Sequence, residues 1–279
     1  RLKLPSQTHP RAVMRTVMLA GLFGRAQAFM SGAAAEMQRK LSVAGAARVE
    51  DVLAAPKWPL EWPYTPRDFG RGDTSNDANF YSQPRFCFHV DDKAIEALTK
   101  YYGEAFTAWD KPDVLDICAS HVSHFPKDIQ LGNAVALGMN EDELKENKQV
   151  DSYVVRDLNE DPTLPFPDNS FDIVTNVVSI DYLTKPAAIC AEVARVLKPG
   201  GAAIFALSNR CFPSKAVDIW LRTNDLEHAF VVGSYFHYTG KFQPPQALEV
   251  SPNKEKTPWQ GGTSQNVAYL AIVRATVDK

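Results

Sequence analysis

Short apolar runs alternate with helix-like periodicity from residue 91 onward. The run Val114-Leu115-Asp116-Ile117 is typical of a fully buried parallel strand. Before it, from Asp91 to Trp109, apolar side chains recur on one face of a predicted helix that has two aspartates at its amino end. Small polar residues follow Ile117 and indicate a turn. In open α/β sheets ligands bind at such a turn, outside the carboxyl end of a strand.

The same alternation continues to the end of the chain. It predicts a mainly parallel sheet with helices on both faces, and no internal repeat is evident. After the first strand, six further strands are predicted at 133–137, 153–156, 171–178, 202–207, 247–251 and 267–275. Helices are predicted at 141–147, 186–197, 213–222 and 226–239.

The first 66 residues have a different pattern. Ala12 to Phe29 is consistent with a short amphipathic helix, and Ser31 to Leu53 with a second helix. The stretch from Pro56 to Pro66 holds four prolines and three large aromatic residues, so it cannot form a regular helix. We interpret it as an extended strap laid over the core. The predicted organisation is therefore an extension at 1–66 and one domain at 67–279.

Charge is unevenly distributed along the chain. Residues 1–50 contain eight Lys or Arg and two Glu, a net charge of +6, whereas the whole chain carries −3. They also hold four of the five methionines and no aspartate. An Arg-rich, acid-poor composition is typical of organellar transit regions. We expect a chloroplast protein, or alternatively a mitochondrial one, whose presequence has been removed and whose basic extension remains.

Composition restricts the other functional classes. The overall negative charge gives no support to nucleic-acid binding. The four cysteines form no CxxC pair and no histidines cluster, which argues against a metal site and a disulfide scaffold. The sequence has no uncharged apolar run of 18 residues, so no transmembrane helix is predicted. The amphipathic stretch at 12–29 leaves docking on a protein partner, a large organellar complex or a membrane surface open.

Two motifs in the second half carry a specific resemblance. Phe166-Pro167-Asp168-Asn169-Ser170-Phe171-Asp172 is followed by Glu192-Val193 and then Arg195-Val196-Leu197-Lys198-Pro199-Gly200-Gly201. The pattern resembles class I S-adenosylmethionine-dependent methyltransferases, type 11-like, at the spacing of that family. The resemblance implies a Rossmann-like, seven-stranded, mainly parallel sheet and S-adenosylmethionine as cofactor. It covers roughly residues 90–275.

The resemblance also implies a glycine-rich turn, D-x-G-x-G-x-G, after the first strand. Asp116 matches its acid, but Cys118, Ser120 and Val122 stand at the three glycine positions. Glycine allows the backbone to approach the methionine part of the cofactor. Cys118 and Ser120 are small enough to admit a ligand, whereas Val122 is expected to narrow this space. S-Adenosylmethionine is therefore expected to bind weakly or not at all.

Further cofactor contacts follow from the resemblance. The acid that takes the ribose hydroxyls is replaced by Gly138, and we expect Asn140 or Glu141, next to Met139, to reach the ribose. Asp157 matches the acid that binds the adenine amino group, and Leu158 would pack on the ring. Asn176 stands where cofactor and acceptor meet. The implied cofactor residues are Asp116, Cys118, Ser120, Met139, Asn140, Asp157, Leu158 and Asn176, with no catalytic residue assigned.

The turn also resembles an uncharacterised group of plant and algal methyltransferase-like proteins. There a Ser-x-x-Ser-His-x-Pro turn replaces the glycines, as in Ser120 to Pro126, and Gly-Met-Asn follows strand two. This resemblance suggests a plastid protein. Its His121 and His124 could polarise an acceptor, although histidines in a turn are more often surface residues.

Two functions remain open. One is a methyltransferase with a degenerate cofactor motif, acting on an unknown acceptor. The other is a catalytically silent methyltransferase fold, a pseudoenzyme that serves as a subunit of an organellar, for example photosynthetic, complex. Methyl transfer depends mainly on positioning, so the residue pattern alone does not decide between them.

Overall fold

A computed structural model of the chain describes residues 48–252 and 268–278. The predicted helix at 12–29 and most of the one at 31–53 lie outside the described residues. None of the helices within the described ranges is long and apolar enough to cross a membrane.

The described residues form one seven-stranded sheet with the order β3-β2-β1-β4-β5-β7-β6. Strands β1 to β5 are parallel, while β7 pairs antiparallel with both β5 and β6. The predicted seven-stranded, mainly parallel sheet is confirmed. The strands are β1 (Val114–Ile117), β2 (Ala134–Gly138), β3 (Ser152–Val155), β4 (Phe171–Val177), β5 (Leu197–Ser208), β6 (Gln246–Glu249) and β7 (Leu270–Thr276).

Helices pack against the sheet where the periodicity predicted them. The helix before β1 begins after Asp91, whose Oδ1 accepts a hydrogen bond from the backbone N–H of Ala94. Its buried face includes Leu98, Tyr102 and Phe106, which lie in the core with β1 and β4 residues. The α-helices are α1 (Val49–Val52), α2 (Asp77–Phe80), α3 (Asp92–Phe106), α4 (Glu141–Glu146), α5 (Pro186–Val196), α6 (Asp218–Leu221) and α7 (Asp225–His237), with 3₁₀ turns at Pro66–Phe69 and Ile180–Tyr182.

The aromatic strap is confirmed as a cover for α7. Trp58 stacks on His237 and packs at a tilt against Phe230, with ring centroids 4.8 and 4.6 Å apart. The Tyr64 hydroxyl lies 2.8 Å from Ser234 Oγ in a buried hydrogen bond. Trp62 contacts Tyr64 edge-on at 4.9 Å. Large aromatic faces bury much apolar surface without regular secondary structure, which is why a proline-rich segment can pack here.

Two predicted boundaries are wrong for identifiable reasons. The helix predicted at 213–222 is reduced to α6. Lys215, three residues before it, is buried and bound instead to Asp73 and Asp77 at 3.1 and 3.0 Å. Strand β5 already begins at Leu197, not at 202. The glycine pair forms an irregular start to the strand, with Gly200 at φ +75° and a register shift opposite β4.

Candidate functional site

A cavity of about 360 Å³ lies at the carboxyl ends of β1, β2 and β4. This volume falls within the range of small-molecule sites. Seven of the eight residues implied by the sequence line it: Asp116, Cys118, Ser120, Met139, Asn140, Asp157 and Leu158. The strand register explains this convergence, because Ile117 pairs with Leu137 on one side and with Asn176 on the other. The turns that follow these strands therefore meet at one edge of the sheet.

The turn after β1 is shaped by a residue with a left-handed backbone. Cys118 has φ +57°, a conformation in which glycine is more readily accommodated, and it stands at the first glycine position of the resemblance. Burial raises the pKa of its thiol to about 12, so Cys118 is a neutral side chain at pH 7 rather than a nucleophile. His124 and Val178, which also line the cavity, have φ of +58° and +44°. Backbone strain thus concentrates around this cavity.

Asp116 lies beneath the turn and is fully buried. Its Oδ1 accepts a hydrogen bond of 2.8 Å from the Thr175 hydroxyl. Burial raises the pKa of this carboxyl to about 7, while hydrogen bonds from Ser123 and Thr175 oppose the rise. A second buried acid, Asp181, has its pKa raised to about 8 by burial. Neither carboxyl is therefore fully ionised at neutral pH.

Position 138 is closed to any side chain. A β-carbon on Gly138 would overlap the carbonyl oxygen of Ala119 and would lie 3.2 Å from Leu144 Cδ2. The backbone N–H of Ala119 also donates to Leu137 O at 2.8 Å, which holds the turn against β2. The turn thus occupies the space that a side chain at position 138 would need.

A second acid that binds the turn, Glu143 in α4, was missed by the sequence analysis. Glu143 is buried and lines the cavity, and its Oε2 accepts a 2.7 Å hydrogen bond from Ser120 Oγ. Glu141, the acid expected near the ribose, instead lies at the surface and pairs with Lys145 at 3.1 Å. Residues two apart in the first turn of α4 face different sides, and the sequence did not indicate which side meets the cavity.

Asn140 serves as the cap of α4. Its Oδ1 accepts from the backbone N–H of Glu143 at 3.0 Å, and its Nδ2 donates to Tyr81 O at 2.8 Å. The side chain that was expected to reach a ribose is thus held on both sides by protein groups. Met139, beside it, lines the cavity and is half-buried.

Asp157 and Leu158 lie together in the cavity wall after β3. Asp157 Oδ1 accepts from the backbone N–H of Asn159 at 2.7 Å, and no partner is found among the described residues for its other oxygen. Leu158 is buried beside it. A carboxylate oxygen next to an apolar surface suits an aromatic ring that carries an amino group.

Asn176 does not line the cavity. It is fully buried in β4, and its Nδ2 donates to Ile117 O of the neighbouring strand β1 at 3.2 Å. Val177, Val178 and Ser179, the next residues along, form this part of the wall instead.

Aromatic and imidazole side chains form the rim of the cavity. His89, His121 and His124 all line it, and Phe88 lies near His121 and His124 with centroids 5.7 and 6.1 Å apart. Phe86 and Phe88 are each 55% exposed. Burial lowers the pKa of His124 to about 4 and also lowers that of His89, so both imidazoles are neutral at pH 7.

The outer wall comes from residues 77–90, which precede the predicted helix that begins at Asp91. Asp77 anchors this segment: its Oδ2 accepts from Arg71 Nη1 at 2.6 Å and from Asn159 Nδ2 at 2.9 Å. Tyr81 and Arg85 project from it into the cavity wall. No sequence signal connects this segment to the strand ends, because it precedes β1 and returns to the site only in three dimensions. Within the described residues no group of acids, histidines or cysteines is arranged to hold a metal ion.

Comparison with known proteins is consistent with this architecture. A family model described as a methyltransferase domain matches residues 116–205. No curated protein matches the chain. Among solved structures, an S-adenosylmethionine-dependent methyltransferase from Mesorhizobium loti is 13% identical with a TM-score of 0.42, and the match covers 65% of this chain and 99% of that one.

Two other solved structures are similar at the same level. Phosphoethanolamine N-methyltransferase 2 of Haemonchus contortus, in complex with S-adenosyl-L-methionine, is 14% identical with a TM-score of 0.46, over 65% of this chain and 52% of that one. The [4+2]-cyclase SpnF is 15% identical with a TM-score of 0.46, over 65% and 80%. Such distant likenesses carry no argument about activity. The seven-stranded sheet is a Rossmann-like methyltransferase fold, and the family match at residues 116–205 lies within it.

Proposed function

We propose that this protein binds an adenosyl ligand, S-adenosylmethionine or its demethylated product, in the cavity at the carboxyl ends of β1, β2 and β4. The observation that carries the proposal is the pairing of Asp157 with Leu158 in the wall of a 360 Å³ cavity. Ligands of open α/β sheets bind at this edge. Asp157 would accept from the adenine amino group, and Leu158 would pack on the ring.

The residues fit the two parts of the cofactor unequally. The adenosine side has a carboxylate oxygen with no partner among the described residues and an apolar neighbour, as a purine requires. At the methionine side, Ser120 and Val122 carry side chains where glycine would leave the backbone bare. The affinity is therefore expected to be low, with the adenosine part supplying most of it.

When bound, S-adenosylmethionine supplies an electrophilic methyl group for a nucleophilic acceptor. The chain's own contribution is to orient the two molecules and to accept the acceptor's proton. His121 is placed for this second role: its Nδ1 lies 3.1 Å from Ser120 Oγ, which leaves Nε2 to take a proton. Cys118 and Asp116 are less suited. Burial keeps the Cys118 thiol protonated at neutral pH, and Asp116 is buried with its Oδ1 already bound to the Thr175 hydroxyl.

Calorimetric titration of the purified chain with S-adenosylmethionine and S-adenosylhomocysteine tests the proposal. Saturable binding of either ligand, abolished by denaturation, is the expected result. Absence of binding by both ligands at millimolar concentration would overturn it.

The second candidate is a catalytically silent subunit of an organellar assembly. The closed contact between Ala119 and Gly138 favours it, because that contact removes the position from which an acid would take a ribose. The basic, acid-poor composition of residues 1–50 supports a chloroplast or mitochondrial location. In this proposal residues 1–66 dock on a protein partner, a larger complex or a membrane surface.

Solvent accessibility separates this candidate from a self-contained enzyme. The amphipathic stretch at 12–29 lies outside the described residues. If it docks on a partner, its apolar side chains are labelled in the isolated chain and protected in the assembly. Cysteine substitutions at Val13, Val17, Leu22 and Phe23, probed with a thiol reagent, give the readout. Protection in the isolated chain would remove the main support for a docking extension.

A further inference from the structure

Arg85 is a cation built into the cavity wall. It lines the cavity, and its Nη2 donates to Phe80 O at 2.8 Å. Its guanidinium carbon lies 4.4 Å from the centre of the Phe80 ring and 5.7 Å from that of Phe212. The planar guanidinium is thus held between aromatic faces, which fixes its orientation.

No carboxylate in the described ranges lies within ion-pair distance of this guanidinium. Its Nη1 is shielded from solvent and has no hydrogen-bond partner. The other two arginines of the cavity are paired: Arg156 with Asp161 at 2.6 Å and Arg210 with Asp91 at 3.4 Å. A shielded charged donor without an acceptor is costly, so it points to a group that the protein itself does not supply.

The acids around Arg85 are already engaged with other donors. Glu143 accepts from the backbone N–H of Arg85 at 2.6 Å and from Ser120, but its carboxylate does not reach the guanidinium. Asp77 is paired with Arg71 at 2.6 Å. A ligand entering the cavity therefore meets one uncompensated cation beside flat apolar rings.

We propose that Arg85 binds a carboxylate of the molecule that occupies the cavity. The guanidinium fork matches a carboxylate with two parallel hydrogen bonds, and the aromatic wall beside it suits a flat or apolar body. This inference rests on the proposed function. The carboxylate belongs either to the amino-acid end of the adenosyl ligand or to an acidic acceptor, and titration distinguishes these two cases.

Three probes separate these sources: S-adenosylhomocysteine, which has the carboxylate; 5′-methylthioadenosine, which lacks it; and 4-hydroxybenzoate, titrated with and without S-adenosylhomocysteine. Each is titrated into the parent chain, Arg85→Met and Arg85→Lys. Arg274→Met is the matched control, because Arg274 also lies over an aromatic ring, Trp109, at 5.7 Å and is outside the cavity. Circular dichroism melts establish that each variant is folded.

If the ligand's amino-acid end supplies the carboxylate, Arg85→Met lowers S-adenosylhomocysteine affinity about tenfold to a hundredfold and leaves methylthioadenosine within about twofold. If the acceptor supplies it, only 4-hydroxybenzoate loses affinity. Arg85→Lys keeps the charge without the fork and gives an intermediate loss in either case. The proposal is overturned if Arg85→Met binds all three probes as Arg274→Met does.

The proposed function fails separately, if the parent binds neither nucleoside. The 4-hydroxybenzoate titration without nucleoside then still decides the role of Arg85. A parent chain that binds none of the three probes overturns both.

Discussion

The carbonyl oxygen of Ala119 occupies the place where Gly138 would carry a β-carbon. The turn after β1 and the end of β2 are therefore complementary: one carries side chains where glycines are expected, and the other carries a glycine where an acid is expected. The contact leaves no room for an acidic side chain at position 138. A single restoring substitution would not rebuild the usual site.

Gly138→Ala is expected to destabilise the domain by about 1–3 kcal/mol, because the added methyl group forces the turn away from β2. Gly103→Ala, in α3, is the matched control. A β-carbon at Gly103 would meet only Pro126 Cβ, at the ordinary contact distance of 3.9 Å. That change should stabilise by about 0.5–1 kcal/mol through helix propensity. Urea denaturation measures the stability of both variants, and equal stabilities would contradict the contact.

Gly138→Asp should not improve nucleoside binding, because the Ala119 carbonyl occupies the space that the new side chain would need.

Asp157→Asn should weaken S-adenosylmethionine binding about tenfold to a hundredfold, since a charge-assisted hydrogen bond contributes roughly 1.5–3 kcal/mol. The amide keeps the oxygen that accepts from Asn159 N–H, so the loop conformation is preserved. Asp161→Asn, in the same loop but paired with Arg156 at 2.6 Å, is the control. Calorimetry provides the affinities. A parent-like affinity for Asp157→Asn would show that Asp157 does not contact the ligand.

Val122→Gly should strengthen S-adenosylmethionine binding, because it widens the cavity wall where the methionine part is expected. The gain is opposed by about 0.5–1 kcal/mol of added backbone freedom in the turn. Val155→Gly, at an exposed position on the edge strand β3, controls for that freedom. If the parent already binds with low-micromolar affinity, Val122 does not obstruct the cofactor.

Asp116 should make the domain less stable as the pH rises. Its pKa is raised in the folded state from 3.8 to about 7, so the folded protein binds more protons than the unfolded chain between these values. Its contribution is therefore most favourable below pH 3.8 and is lost as the pH rises towards 7. Because each pKa unit corresponds to about 1.4 kcal/mol, the loss is on the order of a few kcal/mol.

Asp116→Asn removes this dependence while keeping an acceptor for the Thr175 hydroxyl. Between pH 5 and pH 8 the unfolding free energy should decrease by less in the variant than in the parent. Asp181, with a pKa raised to about 8, retains its own slope and serves as an internal reference. Identical slopes for variant and parent would show that Asp116 is ionised throughout.

Local patterns were sufficient for most of the fold. The buried run at 114–117 and the helix that precedes it are confirmed because hydrophobic periodicity reports directly on which faces are covered. The strap was predictable for a similar reason, since Trp58, Trp62 and Tyr64 have few alternatives to packing on the domain. At 213–222, where the prediction failed, the first part of the predicted helix is not helical, and Lys215 there forms a long-range ion pair with Asp77.

The sequence by itself determined the seven-stranded, mainly parallel sheet and the turns after β1, β2 and β3 that line the site, because strand ends of a parallel sheet converge on one edge. The tertiary structure alone decided which side chains face the cavity. Glu143 rather than Glu141 faces inward because of how α4 docks on β2, and the Asn176 side chain binds the β1 backbone rather than lining the wall. Arg85 enters the site from a segment before β1, and its missing partner is visible only once every neighbouring carboxylate is placed. Contacts between residues distant in sequence set these orientations, and no local pattern encodes them.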